Sequence, residues 1–216
     1  NGIYSGSGGV TLSGISVVID GTGTVSNTGT FTLSAATPSI AATATLTIAG
    51  TIAIGNGIVL TNNGIVTSTA TTGITGGDGA STWTNAAGST LNFAGLTTTL
   101  LATGVLTATS NANTVNYSLT TGGQTIKVTT YAVLTLSNSS GTNTASGNLS
   151  ITTLNTTAGG TLDLTTAYVI SAVTTASGSA GVIKTSVPTA TSATPIPTGK
   201  TWGGTVEYGA AAGAQT

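Results

Sequence analysis

Short runs of alternating apolar and small polar residues, three to five long and each closed by Gly or Asn-Gly, recur through the first hundred positions and constrain the fold most. In Gly23-Thr24-Val25-Ser26-Asn27-Thr28-Gly29-Thr30-Phe31-Thr32-Leu33 an Asn-x-Gly turn separates two such runs. The pattern returns in Leu46-Thr47-Ile48-Ala49-Gly50-Thr51-Ile52-Ala53-Ile54, in Asn56-Gly57-Ile58-Val59-Leu60 and in Asn62-Asn63-Gly64-Ile65-Val66, and more loosely over 85–93. A period of two places alternate side chains on opposite faces of a strand, and Gly and Asn tolerate the positive φ of tight turns. The Val, Ile and Thr that fill the runs are β-branched and suit a pleated surface.

These strands are too short and too evenly punctuated for the meander of an ordinary barrel. A parallel β-solenoid accommodates them, because each coil pairs its backbone with the coils above and below and stacks its inward side chains along the axis. The alternation predicts Val25, Phe31, Leu33, Leu46, Ile48, Ile52, Ile54, Ile58 and Leu60 inward, with Thr and Ser outward. A coil of roughly 20 residues would give about ten coils. The competing architecture is tandem antiparallel β-sandwich modules, since Asn-Gly between alternating runs is also a hairpin signal. With aromatics at 4% and runs this short, the solenoid is preferred. The expected fold is all-β: a right-handed parallel β-solenoid over 1–186, then a Pro-containing loop and irregular C-terminal strand region over 187–216. Pro188, Pro195 and Pro197 fall in that last segment, and a residue without an N–H cannot complete a ladder.

Composition narrows function. Of 216 residues, three are Lys, four are acidic, and none is Arg, His, Cys or Met. This removes imidazole bases, thiol nucleophiles, thiolate ligands and any disulfide scaffold. The acids Asp20, Asp78, Asp163 and Glu207 are widely spaced, whereas a glycosidase pair needs carboxyls about 5–10 Å apart. The chain therefore reads as not an enzyme, a polysaccharide-cleaving β-helix being the weakest alternative. A net charge of -1 offers no field for nucleic acid, and no apolar run of spanning length is present.

Asp20-Gly21-Thr22-Gly23 and Gly76-Gly77-Asp78-Gly79 read as turns in which Asp bonds its own backbone, with calcium near Asp78 the alternative; no cofactor is expected. Trp83 reads as packing, Trp202 as packing or a subunit contact, and Tyr4, Tyr117, Tyr131 and Tyr208 as partly buried rings with bonded hydroxyls. Lys127, Lys184 and Lys200 read as solvated. Thr43, Thr45 and Thr47 share one strand face opposite Ala44, Leu46 and Ile48, as in a Thr array that binds ice or crystalline polysaccharide. Such an array must recur in register, and Thr-x-Thr at 43–45, 67–69 and 107–109 shows no constant period.

A longer repeat lies in the second half. Val115-Asn116-Tyr117 is followed by Gln124-Thr125, and Val206-Glu207-Tyr208 at the same offset by Gln215-Thr216. The first copy continues through Ile126, Tyr131 and Leu134-Thr135-Leu136-Ser137. This segment resembles the Val-x-Tyr … Gln-Thr-Ile … Tyr-x-x-Leu-x-Leu-Ser-Gly units of large secreted bacterial β-helical surface proteins of adhesin-like type. The alternation of 24–66 resembles the haemagglutinin or autotransporter-passenger style. Asn138 departs from the pattern, standing where Gly is usual. The resemblance implies an extracellular or cell-surface location and a structural or adhesive role.

The resulting expectation is a structural subunit or fragment of a filament, sheath or stalk. Its partners would be copies of itself, head to tail through β-strand contacts, and its assembly residues Asn1, Gly2, Ile3, Tyr4, Trp202, Tyr208, Gln215 and Thr216. The alternative is an adhesin module that binds a surface glycan, ice or another surface. So few charges also predict indifference to moderate pH and salt.

Overall fold

A computed structural model describes residues 2–4, 6–26, 28–96, 99–176, 178–192 and 194–209, and of residues 2–4 the backbone only. The fold is all-β, about nine turns of parallel β-solenoid, with no helix among the described residues. It comprises two compact units, Asn1–Val115 and Asn116–Thr216. The Pro-containing passage lies inside the second unit.

The first unit contains β1 (Gly2–Tyr4), β2 (Val10–Leu12), β3 (Ser16–Ile19), β4 (Thr22–Val25), β5 (Phe31–Leu33), β6 (Thr37–Ile40) and β7 (Thr45–Ile48). It continues with β8 (Ile52–Ile54), β9 (Val59–Asn62), β10 (Ile65–Ser68), β11 (Ile74–Gly76), β12 (Thr82–Asn85), β13 (Thr90–Phe93) and β14 (Val105–Thr107). Successive strands pass in rotation to three sheets, β1-β4-β7-β10-β13, β2-β5-β8-β11 and β3-β6-β9-β12-β14. The described pairings are parallel, so no hairpin supports the sandwich alternative. Asn-Gly here turns a corner between sheets: Asn56-Gly57 forms a turn with Gly57 at φ 65, and the chain moves on to the next sheet.

β15 (Thr114–Tyr117) contains the boundary between the units, and the second unit continues with β16 (Thr125–Ile126), β17 (Thr130–Leu136), β18 (Thr142–Ala145), β19 (Leu149–Thr156), β20 (Thr161–Asp163), β21 (Ile170–Thr175), β22 (Val182–Thr185) and β23 (Thr205–Tyr208). Each coil visits only two sheets, β15-β17-β19-β21 and β16-β18-β20-β22-β23. Its longest strands compensate by bending: in β17 the inward alternation changes phase at Tyr131-Ala132, where two successive residues are buried.

Stacking in register builds the core of the first unit. Val10, Phe31, Ile52 and Ile74 form one inward column, and Leu46, Val66 and Leu91 another. Of the predicted inward residues, seven are buried; Val25 and Ile58 are half-buried, the first at the end of β4 beneath β1 and the second in the turn before β9. Side-chain volume is matched along a column, as Ile48, Ser68 and Phe93 show. The Phe93 ring occupies the space a Cβ would need at both Gly73 and Gly95.

One column, which runs Ile19, Ile40, Asn62 and Asn85, turns polar part-way. Asn62 and Asn85 point inward at the ends of β9 and β12, where Asn62 Nδ2 donates to Asn85 Oδ1 at 3.0 Å. Asn85 Oδ1 also accepts from Trp83 Nε1 at 2.7 Å, and its Nδ2 donates to the Thr114 carbonyl at 3.1 Å. Asn62 Oδ1 accepts the Gly64 amide at 3.1 Å and so fixes the corner. The Asn of Asn62-Asn63-Gly64 thus acts through a buried side chain rather than a tolerance for positive φ. Trp83 is fully buried, as its packing role predicts.

Two substitutions test this packing. Gly95→Ala pushes a methyl into the Phe93 ring and should cost about 1–3 kcal/mol, while Gly79→Ala faces open space and should stay within about 0.5 kcal/mol. Asn85→Leu strands the Trp83 and Asn62 donors at about 1–3 kcal/mol each. Urea unfolding of the three variants measures the differences.

Candidate functional surfaces

The first sheet presents two outward columns. Thr22, Thr45, Ile65 and Thr90 align in one, and Thr24, Thr47, Thr67 and Asn92 in the other. Strands about 4.8 Å apart and alternate residues nearly 7 Å apart give a flat grid of hydroxyls and methyls. Asn92 Nδ2 donates to Thr67 Oγ1 at 3.2 Å. The sequence pattern missed this grid because coil length varies: register partners are 23 residues apart at Thr22–Thr45 and 20 at Thr45–Ile65. Thr43 lies in the preceding turn, and Thr69 and Thr109 lie outside the strands. Single Thr-bearing columns coat the other sheets too, as Thr11, Thr32, Ala53, Thr75 and Val18, Ser39, Thr61, Thr84, Thr107.

Asp20 and Asp78 both tie one coil to the next. Asp20 Oδ1 accepts from Thr43 Oγ1 and the Gly21 amide, each at 2.6 Å, and these bonds hold its carboxyl below the usual value. Asp78 Oδ1 accepts from the Gly57 amide across the coil at 3.0 Å, from Ser81 Oγ at 2.9 Å and from the Ala80 and Ser81 amides. The Gly57 bond contributes most to lowering its pKa. Four donors converge on this one oxygen, and no group of three or more acidic, His or Cys residues is present among the described residues. The turn reading accounts for both acids.

In the second unit Asp163, Lys184 and Glu207 share one outward column. Lys184 Nζ lies 3.7 Å from Glu207 Oε1, both side chains being solvated, so the pair is worth about 0–1 kcal/mol. The lysine stands between the two carboxylates on an open strand face, where a hydrolytic pair would need a substrate.

The Tyr-Gln-Tyr segment that carries the family resemblance is a buried clasp. The Lys127 amide donates to Tyr117 Oη at 2.9 Å, the two tyrosine oxygens lie 3.3 Å apart, and Tyr131 Oη donates to the Lys127 carbonyl at 2.6 Å. The donor order leaves Tyr117 to donate to Tyr131, which closes a ring around the backbone of one residue, Lys127. Gln124 Oε1 accepts the Leu119 amide, and the Gln124 amide donates to Asn143 Oδ1, both at 3.0 Å. Asn138 Nδ2 reaches the Ser140 and Gly141 carbonyls at 3.0 Å and holds the corner where Gly is usual. Both rings are fully buried; burial pushes Tyr117 up to about 12 and Tyr131 well above its ordinary value. These residues shape the coil and present no hydroxyl to a ligand.

Of the expected assembly residues, Asn1, Gln215 and Thr216 lie outside the described residues. Gly2, Ile3 and Tyr4 form β1, paired with β4. Trp202 bridges Ala176, and Tyr208 pairs with Thr185 in β23 with its side chain exposed. Comparison of the chain with protein-family models, curated proteins and solved structures returned no match.

The ionisation pattern is testable. Folded-state carboxyl values below 3.8 at Asp20 and Asp78 give stability that is present above that pH and lost as pH falls through the folded values. Raised phenol values give stability that is complete below about pH 10 and lost as pH rises towards 12. The thermal midpoint should therefore stay level over about pH 5–9 and decline on either side. Tyr131→Phe should remove the bond to the Lys127 carbonyl, cost about 1–3 kcal/mol and take one late-titrating phenol out of the absorbance titration.

Proposed function

We propose that the chain is a structural segment of an extracellular or cell-surface filament, sheath or stalk, whose coils continue end to end through β-strand contacts. One observation carries this reading: the inward columns of its first coil are uncovered. Val10, Leu12, Val17 and Ile19 face inward yet are only half-buried, whereas Phe31, Leu33 and Ile40 in the coil below are buried. An end of this kind is completed by a further coil, from more of the same chain or from another copy. In the second unit, β23 pairs among described strands only with β22. Dense backbone pairing favours stiffness, and small outward Thr and Ser permit close lateral packing. The family resemblance supports a surface location and agrees with a mechanical role.

A second reading has its own support. The paired Thr columns of the first sheet form an in-register grid of the kind that can match an ordered surface such as ice or a crystalline polysaccharide. On that reading Thr47→Lys would abolish retention on ice or microcrystalline cellulose without changing the circular dichroism.

Sedimentation velocity and negative-stain imaging over a concentration series test the structural reading. It predicts rods that lengthen in whole-particle steps, and a Val10→Lys, Val17→Lys double variant that stays at single-particle length while folded. A chain that remains a single particle at every concentration, with the same end exposed, would sink it.

A further inference from the structure

In the second unit the strands alternate between the two sheets through β22, and the next strand is due in the first sheet beside β21. Among the described residues no such strand is present: β23 instead joins β22 in the other sheet. The intervening stretch 186–204 contains Pro188, Pro195 and Pro197, which have no N–H to give a ladder. It crosses the edge of β21 and touches it at two places. The Ile170 amide donates to the Pro195 carbonyl at 2.9 Å, and Ala176 bridges Trp202, with the Gly203 amide 3.4 Å from the Ala176 carbonyl. Next to the second contact lies a hollow of about 270 Å³, lined by Thr174, Thr175 and Ala176 on one side and Gly199, Lys200 and Thr201 on the other.

Three threonines and one lysine line this hollow together with Ala176 and Gly199, and among the described residues the lining holds no acid and no large apolar side chain. Lys200 is one of three cations in the chain, and it forms no ion pair among the described residues. Gly199 takes φ 68, which lets the crossing segment turn immediately before it. An apolar ligand finds little to bury against here, whereas a polyol with one negative charge matches the three threonines and the lysine. The volume lies just under the roughly 300 Å³ at which pockets for larger ligands begin, which suits a single sugar ring.

We propose that this hollow binds one uronic acid residue of an acidic polysaccharide, with its carboxylate at Lys200 and its ring hydroxyls at Thr174, Thr175 and Thr201. Charge-assisted bonds of this type are about twice as strong as neutral ones and set the preference for the acid. The site is independent of the end-to-end reading, since neither the first coil nor β23 lines it.

The test is titration of the ¹⁵N-labelled chain with trigalacturonate, triglucuronate and the methyl ester of trigalacturonate. The expected result is saturable amide shifts at Thr174, Thr175, Lys200 and Thr201 with at least one acid, and affinity at least about tenfold weaker for the ester. Lys200→Gln should lose affinity by a similar factor with unchanged circular dichroism, while Lys184→Gln retains it. Absence of binding to both acids, equal binding of the ester, or equal binding by Lys200→Gln would overturn the assignment.

Discussion

Register between coils is the constraint on which the rest of the structure depends. Each inward side chain meets the same-face side chain of the coils above and below, so a column tolerates only side chains whose volumes sum correctly. The Phe93 ring fits because Ser68 precedes it in the column and because Gly73 and Gly95 carry no Cβ. The Asn62–Asn85 ladder fits because its polar atoms pair with the neighbour in the column, with a corner amide, with backbone carbonyls or with the Trp83 indole. Outward residues escape this constraint, and there Thr recurs, its β-branched shape suiting the pleated surface.

Period-two alternation made the fold class and most of the first-unit core legible in the sequence, since Phe31, Leu33, Ile52 and Ile54 have one orientation whatever the coil length. Two things were hidden. The Thr grid depends on which coil positions are partners, and corner lengths vary too much for a fixed period to reveal it. The inward Asn residues read as turn formers, because a polar side chain before Gly gives no sign that it points into the core. The Pro-containing interruption was legible for a direct reason: a missing N–H is visible in the sequence itself.

Function follows from what the coils leave over. The family-like Tyr117, Gln124 and Tyr131 are consumed in holding one loop, and Asp20 and Asp78 in linking adjacent coils. What is left is an uncovered first coil, a Thr-rich exterior and one hollow with an unpaired-with-acid ammonium at Lys200. The first of these favours a mechanical role, and the last is the place where we propose that an acidic glycan is held.

The absence of Cys makes a direct test of register available. Cysteines replacing Thr47 and Thr67 occupy partner positions in adjacent parallel strands, where about 4.8 Å between strands falls within disulfide reach. Cysteines replacing Thr45 and Thr67 are offset by two residues, about 8 Å apart and beyond that reach. The account predicts rapid intramolecular disulfide formation in the first pair under mild oxidation and little in the second, measured by mass and free-thiol assay. Equal oxidation of both pairs, or faster closure of the offset pair, would contradict parallel in-register stacking.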